Sequence, residues 1–121
     1  MWCGASITAS VTYLGQDQFQ VQLVNNTENK TYRATAAFSA DRYSAEWIAE
    51  APSEASGELP LADFGSVGFT NCSAVISGNK VPISGADWED INMTNSHGQV
   101  KGVTSALNQT GDGFTVAWES N

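Results

Sequence analysis

Apolar and polar residues alternate along residues 7–38, and this alternation constrains the fold more than any other feature of the sequence. The apolar members of the alternation fall in three runs, which are Ile7, Ala9, Val11 and Tyr13, then Phe19, Val21 and Leu23, then Tyr32, Ala34, Ala36 and Phe38. Ser, Thr, Gln and Arg occupy most of the positions between them. A period of two predicts half-buried β-strands. The polar turns at 15–17 and 25–30 predict that the three strands form an antiparallel meander.

The remainder of the chain also favours short strands. We predict strands at 44–50, 64–71, 81–84, 90–94, 99–107 and 114–118, with turns at 77–80 and 111–113. The segment 51–63 contains Pro52, Gly57 and Pro60 and is predicted to be an ordered loop. No segment has a helical period of sufficient length. The sequence therefore predicts one all-β domain over residues 1–121, an antiparallel sandwich or barrel.

The charge and the apolar pattern of the chain argue against nucleic acids and membranes as binding partners. The 121 residues include 13 acidic and 5 basic side chains, for a formal net charge of -8. Nucleic-acid binding needs clustered Lys and Arg, which are isolated here, and no apolar run is long enough to span a bilayer. Few basic groups would remain to repel one another once the carboxylates are protonated in acid. This composition is typical of proteins from acidic environments, but also of many ordinary secreted β-proteins.

The common catalytic and metal-binding arrangements are missing from the sequence. His97 is the sole histidine and lies in a turn sequence, so we predict a solvated loop residue and no zinc site. The cluster of Asp87, Glu89 and Asp90 lacks the spacing of a calcium loop and is predicted to be a solvated acidic turn. Cys3 and Cys72 either form one disulfide or remain two thiols, because sequence alone does not fix their pairing.

Two carboxylates in the predicted strand 44–50 are the best candidates for chemistry. Glu is depleted in strand interiors, yet Glu46 and Glu50 share one face with Ile48. Such a pair could line a cleft and serve acid–base catalysis. An exposed polar face explains the same spacing, and the pattern alone favours that reading.

The residues around these carboxylates resemble a known family. The sequence YSAEWIAEAPS at 43–53 resembles the segment around the catalytic glutamate of the glutamic endopeptidases, or eqolisins. LPLADFGSV at 59–67 and FTN at 69–71 are similar to the next block of that family, at the expected spacing. The strand at 4–11 and the end of the chain at 103–118 also fit. The resemblance covers nearly the whole chain and is to the C-terminal portion of these enzymes.

The resemblance implies a fold and a mechanism. It implies a β-sandwich of two bent, packed antiparallel sheets, like that of concanavalin, lacking its N-terminal strands. It implies a secreted acid endopeptidase that is insensitive to pepstatin, needs no metal or other cofactor and acts on polypeptides. The catalytic glutamate of the family corresponds to Glu50, while Glu46 would be a supporting or structural residue and Trp47 and Ile48 would be packing residues. A bridge between Cys3 and Cys72 would then tie the shortened end to the body of the domain.

The sequence departs from the family pattern in one feature that affects catalysis. In the family a Gln completes the catalytic pair, and it lies in an N-terminal region that precedes the part matched here. None of the glutamines of this chain lies in a matching motif. A second chain or an N-terminal segment would therefore have to supply that Gln. Two further alternatives are a non-catalytic module that binds glycans or peptides on a concave face of Gln, Thr and aromatic residues, and a homodimer whose copies cover each other's sheet edges.

Overall fold

The computed structural model describes residues 4–120, and within them the secondary structure is almost entirely β. These residues form eleven strands that pair only antiparallel, together with a single 3₁₀ turn at Ile83–Gly85. No helix in this range is long and apolar enough to cross a bilayer. The predicted antiparallel all-β class is confirmed. The chain divides into two compact units, unit 1 at Met1–Tyr43 and unit 2 at Ser44–Asn121, and the single-domain organisation stays a prediction.

Unit 1 is the predicted three-stranded meander. Its strands are β1 (Ile7–Gly15), β2 (Gln18–Asn25) and β3 (Lys30–Ala37), in the order β1-β2-β3. Gln16 and Asp17 join the first two strands with φ of 52° and 58°, the left-handed conformation that two-residue hairpin turns require. The buried Asn25 organises the second turn, because its side-chain oxygen accepts hydrogen bonds from the backbone N–H groups of Thr27 (3.1 Å) and Glu28 (3.0 Å).

The strand register separates unit 1 into an apolar and a polar face. The apolar face consists of the cross-strand rows Ala9–Leu23–Tyr32, Val11–Val21–Ala34 and Tyr13–Phe19–Ala36. The polar face consists of the rows Thr8–Val24–Thr31, Ser10–Gln22–Arg33 and Thr12–Gln20–Thr35. On the apolar face only Phe19 is buried, and its ring stacks on that of Phe38 with centroids 4.5 Å apart. Val11 and Tyr32 are 69% and 63% exposed.

Unit 2 contains one larger sheet and two small hairpins. Its strands are β4 (Ser53–Glu54), β5 (Gly57–Glu58), β6 (Ser66–Phe69), β7 (Ser73–Ile76), β8 (Asn79–Pro82), β9 (Met93–Thr94), β10 (Val100–Thr104) and β11 (Phe114–Trp118). The larger sheet has the order β6-β11-β10-β9, and β4-β5 and β7-β8 are the hairpins. The buried apolar side chains of this unit are those of Leu61, Cys72 and Val116. Phe69 and Phe114, which are partners in the register, stack with centroids 4.8 Å apart.

Five of the six strands predicted in unit 2 are present, and three of them, β6, β9 and β10, are shorter than predicted. The strand predicted at 99–107 ends at Thr104, because the Ser105 hydroxyl then takes the place of a backbone acceptor. Its Oγ accepts the hydrogen bond of the Thr115 N–H at 2.9 Å. The strand predicted at 81–84 is shifted to β8 and is followed by the 3₁₀ turn. Side-chain hydrogen bonds of this kind are not visible in the alternation of apolar and polar residues.

Candidate active site

The segment that carries the candidate glutamate is not a strand. Among the described residues, the structure assigns no strand between Ala37 and Ser53, so the prediction of a strand at 44–50 is wrong. A strand exists only where a neighbouring backbone pairs with it. The apolar pattern that suggested a strand reports side-chain burial and cannot show whether such a neighbour is present.

The pattern of burial within this segment nevertheless follows the predicted alternation. Trp47 and Ala49 are half-buried, whereas Glu46, Ile48 and Glu50 are exposed. The two carboxylates thus share the exposed side of the segment with Ile48, which is 49% exposed. Within residues 4–120 neither carboxylate accepts a hydrogen bond or forms an ion pair. The Glu50 side chain is therefore free to meet a substrate or a further segment of protein.

A small hairpin follows Glu50 immediately. Strands β4 and β5 lie within 51–63, the segment predicted as an ordered loop, and the Leu59 N–H closes the hairpin by donating to the Pro52 carbonyl at 2.8 Å. At its tip the Ser56 hydroxyl donates to a carboxylate oxygen of Glu54 at 2.8 Å. The backbone two residues beyond Glu50 is thus held by a hydrogen bond across the base of the hairpin.

An ion pair between a buried lysine and a partly exposed glutamate connects this hairpin to the larger sheet. The Lys101 side chain on β10 is 3% exposed, and its ammonium donates to a carboxylate oxygen of Glu58 at the end of β5. Sequence reasoning did not identify Lys101. The available signal was a charged residue placed between Val100 and Gly102, the single charged side chain of its strand.

The segment 59–67 attaches the loop after Glu50 to the larger sheet at a second place. The carbonyl of the buried Leu61 accepts a hydrogen bond from the indole Nε1–H of Trp118 at 3.1 Å. The Asp63 carboxylate accepts the Gly65 N–H at 2.9 Å, and Gly65 takes a φ of 70°, which favours glycine. The Gly65 carbonyl in turn accepts the backbone N–H of Trp118 at 2.8 Å. The second motif of the resemblance therefore fixes the loop after Glu50 to β11.

The other polar candidates lie where the sequence predicted. His97 is exposed in a turn where the Asn95 side-chain oxygen accepts the His97 N–H at 2.9 Å. Asp87, Glu89 and Asp90 are all exposed and lie outside any strand or helix. Within the described range, His, Cys, Asp and Glu side chains form no group of three that could hold a metal ion.

Comparison with known proteins shows the family to which the chain belongs. The model of the Peptidase A4 family matches residues 2–118, nearly the whole chain. This chain belongs to the Peptidase A4 family. Among solved structures it is similar to the crystal structure of aspergilloglutamic peptidase from Aspergillus niger, with 28% sequence identity and a TM-score of 0.84. That match covers 98% of this chain and 69% of the other. A search of curated proteins gave no match.

Two predictions are thereby confirmed for this Peptidase A4 chain. The resemblance to the glutamic endopeptidases is confirmed. The enzyme class implied by that resemblance, a hydrolase of peptide bonds, is confirmed as well. The match to a glutamic peptidase structure agrees with the predicted antiparallel all-β class, and a β-sandwich is compatible with that class. The role of Glu50, the supporting roles of Glu46, Trp47 and Ile48, and the source of the catalytic Gln stay predictions.

Cys72 of the Peptidase A4 chain lies in a separate polar cluster. Its N–H donates to the Asp112 carbonyl at 2.8 Å, and it has no disulfide partner among the described residues. Burial, with a smaller contribution from the Asp112 carboxylate, raises the pKa of the Cys72 thiol. Hydrogen bonds from Thr110 (2.7 Å) and Asn108 (3.0 Å) lower the pKa of Asp112. Cys3 lies outside the described residues, so the bridge stays a prediction.

Proposed function

We propose that this chain is part of a secreted acid endopeptidase in which Glu50 is the catalytic base and then the catalytic acid. The observation that carries the proposal is the exposed Glu50 carboxylate, which lies in the motif that resembles the catalytic segment of the glutamic peptidases. Membership of the Peptidase A4 family supports it. The fixed hairpin directly after Glu50 supports it further, since a catalytic group needs a backbone that holds it in one position.

The chemistry requires one water molecule and no metal ion. The Glu50 carboxylate takes a proton from the water as its oxygen attacks the carbonyl carbon of the scissile peptide bond. The resulting tetrahedral oxyanion carries a charge that an amide N–H donor stabilises, which is the role we assign to the Gln of a second chain or N-terminal segment. Glu50 then gives its proton to the departing amine as the carbon–nitrogen bond breaks, and the carboxylate is restored.

The surface of unit 1 supports a requirement for a further polypeptide segment. Val11 and Tyr32 leave the apolar face broadly exposed, and exposed apolar patches larger than a few hundred Å² mark interaction sites. Strand β1 is an edge of its sheet and contains no charged residue and no proline, so it lacks the usual protection against pairing. A further polypeptide segment could pair there, and so could a second copy of this chain. A mass measurement in solution distinguishes a homodimer from a monomer.

A non-catalytic binding module is the second candidate, and the polar face of unit 1 favours it. This face presents Ser, Thr and Gln side chains with a single charged group, and the Arg33 Nε–H donates to the Gln22 side-chain oxygen at 2.7 Å. The binding face expected from the sequence combined Gln, Thr and aromatic residues. The register separates them, because Tyr13, Phe19 and Tyr32 belong to the opposite face. Binding would therefore rest on hydrogen bonds.

The deciding experiment compares Glu50→Gln with Glu46→Gln, because both glutamates are exposed and lie on the same side of one segment. Cleavage of an unfolded protein would be followed at about pH 3.5 with pepstatin present, near the ordinary titration range of carboxyl groups. Loss of a general base lowers the rate by at least about a hundredfold. We expect that loss for Glu50→Gln and a much smaller loss for Glu46→Gln, whose predicted role is supporting or structural. Equal activity of the two variants would refute the role of Glu50. Absence of cleavage by the folded chain alone would indicate either a half-enzyme that needs the Gln-supplying segment or the binding module, and restored cleavage after addition of that segment would identify the half-enzyme.

A further inference from the structure

Lys101 is the most deeply buried charged side chain of the described residues, at 2% exposure for the whole residue. A buried ammonium is costly unless it is paired and hydrogen-bonded. Its partner is Glu58, 43 residues earlier in the chain, whose side chain remains 46% exposed. The contact is therefore long-range, and it requires that the hairpin β4-β5 lie against β10.

The two ends of this pair differ in how firmly they are held. Lys101 is in the middle of the larger sheet, and its carbonyl accepts the Glu119 N–H at 2.8 Å. Glu58 belongs to a hairpin of two-residue strands, which is too short to be stable by its own hydrogen bonds. The sheet therefore fixes Lys101, and Lys101 fixes the hairpin.

The hairpin in turn determines where Glu50 lies. Its base is the hydrogen bond between the Pro52 carbonyl and the Leu59 N–H, and Pro52 follows Glu50 by two residues. Proline restricts the residue before it, Ala51, to extended backbone. A displacement at Glu58 therefore reaches Glu50 through a short and stiff stretch of chain.

We propose that Lys101, acting through Glu58, is a positioning residue that holds the Glu50 carboxylate in its working place. The proposal rests on the proposed function for its catalytic consequence, but its structural consequence can be measured separately. The indole of Trp118 holds the Leu61 carbonyl further along the loop. That contact keeps the far end of the loop attached when the ion pair is removed, so the effect is confined to the stretch from Glu50 to Leu59.

The test compares Lys101→Met with Lys80→Met. Methionine keeps the length of the side chain and is compatible with burial, so the Lys101 variant is expected to fold. Lys80 is the other lysine of unit 2 and is exposed on β8, which makes its variant the matched control. Glu58→Gln leaves the buried ammonium without a counterion and risks misfolding. Lys101→Arg keeps the charge and serves as the conservative variant.

The first readout is backbone order, which needs no catalytic activity. We expect the Leu59 amide to exchange with deuterium at least about tenfold faster in Lys101→Met, as a hydrogen bond in a locally opening segment does. ¹⁵N relaxation should show increased motion at Glu50 and Ala51. The amides of the β7-β8 hairpin should be unchanged, and Lys101→Arg should restore part of the protection at Leu59. Unchanged order at all three positions in Lys101→Met would overturn the proposal.

The second readout is peptide cleavage by the form of the enzyme that is active. We expect Lys101→Met to lower kcat by about tenfold or more while KM changes little, because a displaced base affects the chemical step more than substrate binding. If kcat is unchanged while Glu50→Gln is inactive, Lys101 has no positioning role. If Glu50→Gln remains active, the proposed function fails, and the order measured at Glu50 still decides whether Lys101 holds this segment.

Discussion

Leu61→Ala tests whether the loop after Glu50 is a structural part of unit 2 or only a connection. The Leu61 side chain is 6% exposed, so nearly all of its apolar surface is removed from water on folding. Burial of a leucine contributes about 1.5–3 kcal/mol, and the cavity left behind raises the cost of Leu→Ala to about 2–5 kcal/mol. We expect a loss of about 3 kcal/mol in the free energy of unfolding, a large part of the stability of a small domain.

Urea unfolding followed by tryptophan fluorescence measures this loss, because Trp47, Trp88 and Trp118 all lie in unit 2. With a slope of about 1.5 kcal/mol per molar urea, the midpoint should fall by about 2 M while the slope is unchanged. Ile91→Ala is the control, because that side chain is 63% exposed. It should lower stability by less than about 1 kcal/mol. Equal shifts for the two variants would refute the reasoning, since burial would then not determine the cost.

Three further predictions concern β11 and its neighbourhood. Trp118→Phe removes the indole donor that fixes the loop after Glu50, leaves a carbonyl unpaired and should cost about 1–3 kcal/mol by urea unfolding. Gly111→Ala should cost more than Gly98→Ala by about 1 kcal/mol or more: both have positive φ (72° and 78°), but only at Gly111 would the new Cβ collide with Ser84. Asp112 has a lowered pKa, so its ionised carboxylate stabilises the folded state at pH values above its ordinary pKa of 3.8. This stabilisation is lost as the pH falls below 3.8. The melting temperature measured between about pH 5 and 2 should therefore fall less steeply with decreasing pH for Asp112→Asn than for the wild type.

The sequence was sufficient for unit 1, because its structure is determined locally. The register of a hairpin follows from its turn, and the alternation decides which face is apolar. The three predicted strands therefore coincide with β1, β2 and β3 to within one or two residues. The exposed side shared by Glu46 and Glu50 was predictable for the same reason, although the segment is not a strand.

The parts that could not be predicted depend on long-range contacts. No local pattern indicates that Lys101 meets a carboxylate 43 residues away, or that the Trp118 indole reaches the Leu61 carbonyl across 57 residues. The assignment of Glu50 over Glu46 came from the family resemblance, because the two glutamates are equivalent in the alternation and in exposure. Burial and hydrogen bonding distinguish neither of them, so only the comparison of their variants can do so.

The distribution of charge bears on the proposed activity in acid. Residues 1–43 hold three acidic and three basic side chains, so the whole formal charge of -8 belongs to unit 2. Once its carboxylates are protonated, unit 2 keeps only Lys80 and Lys101 as positive side chains apart from His97, and repulsion between so few cations is weak. Unit 2 should therefore resist general acid unfolding. Its sensitive point is the ion pair, because a buried ammonium without its carboxylate partner is costly, and this one lies next to the hairpin that positions Glu50. Lys101→Met should therefore release this hairpin while the rest of unit 2 stays folded, which separates the local opening from global unfolding.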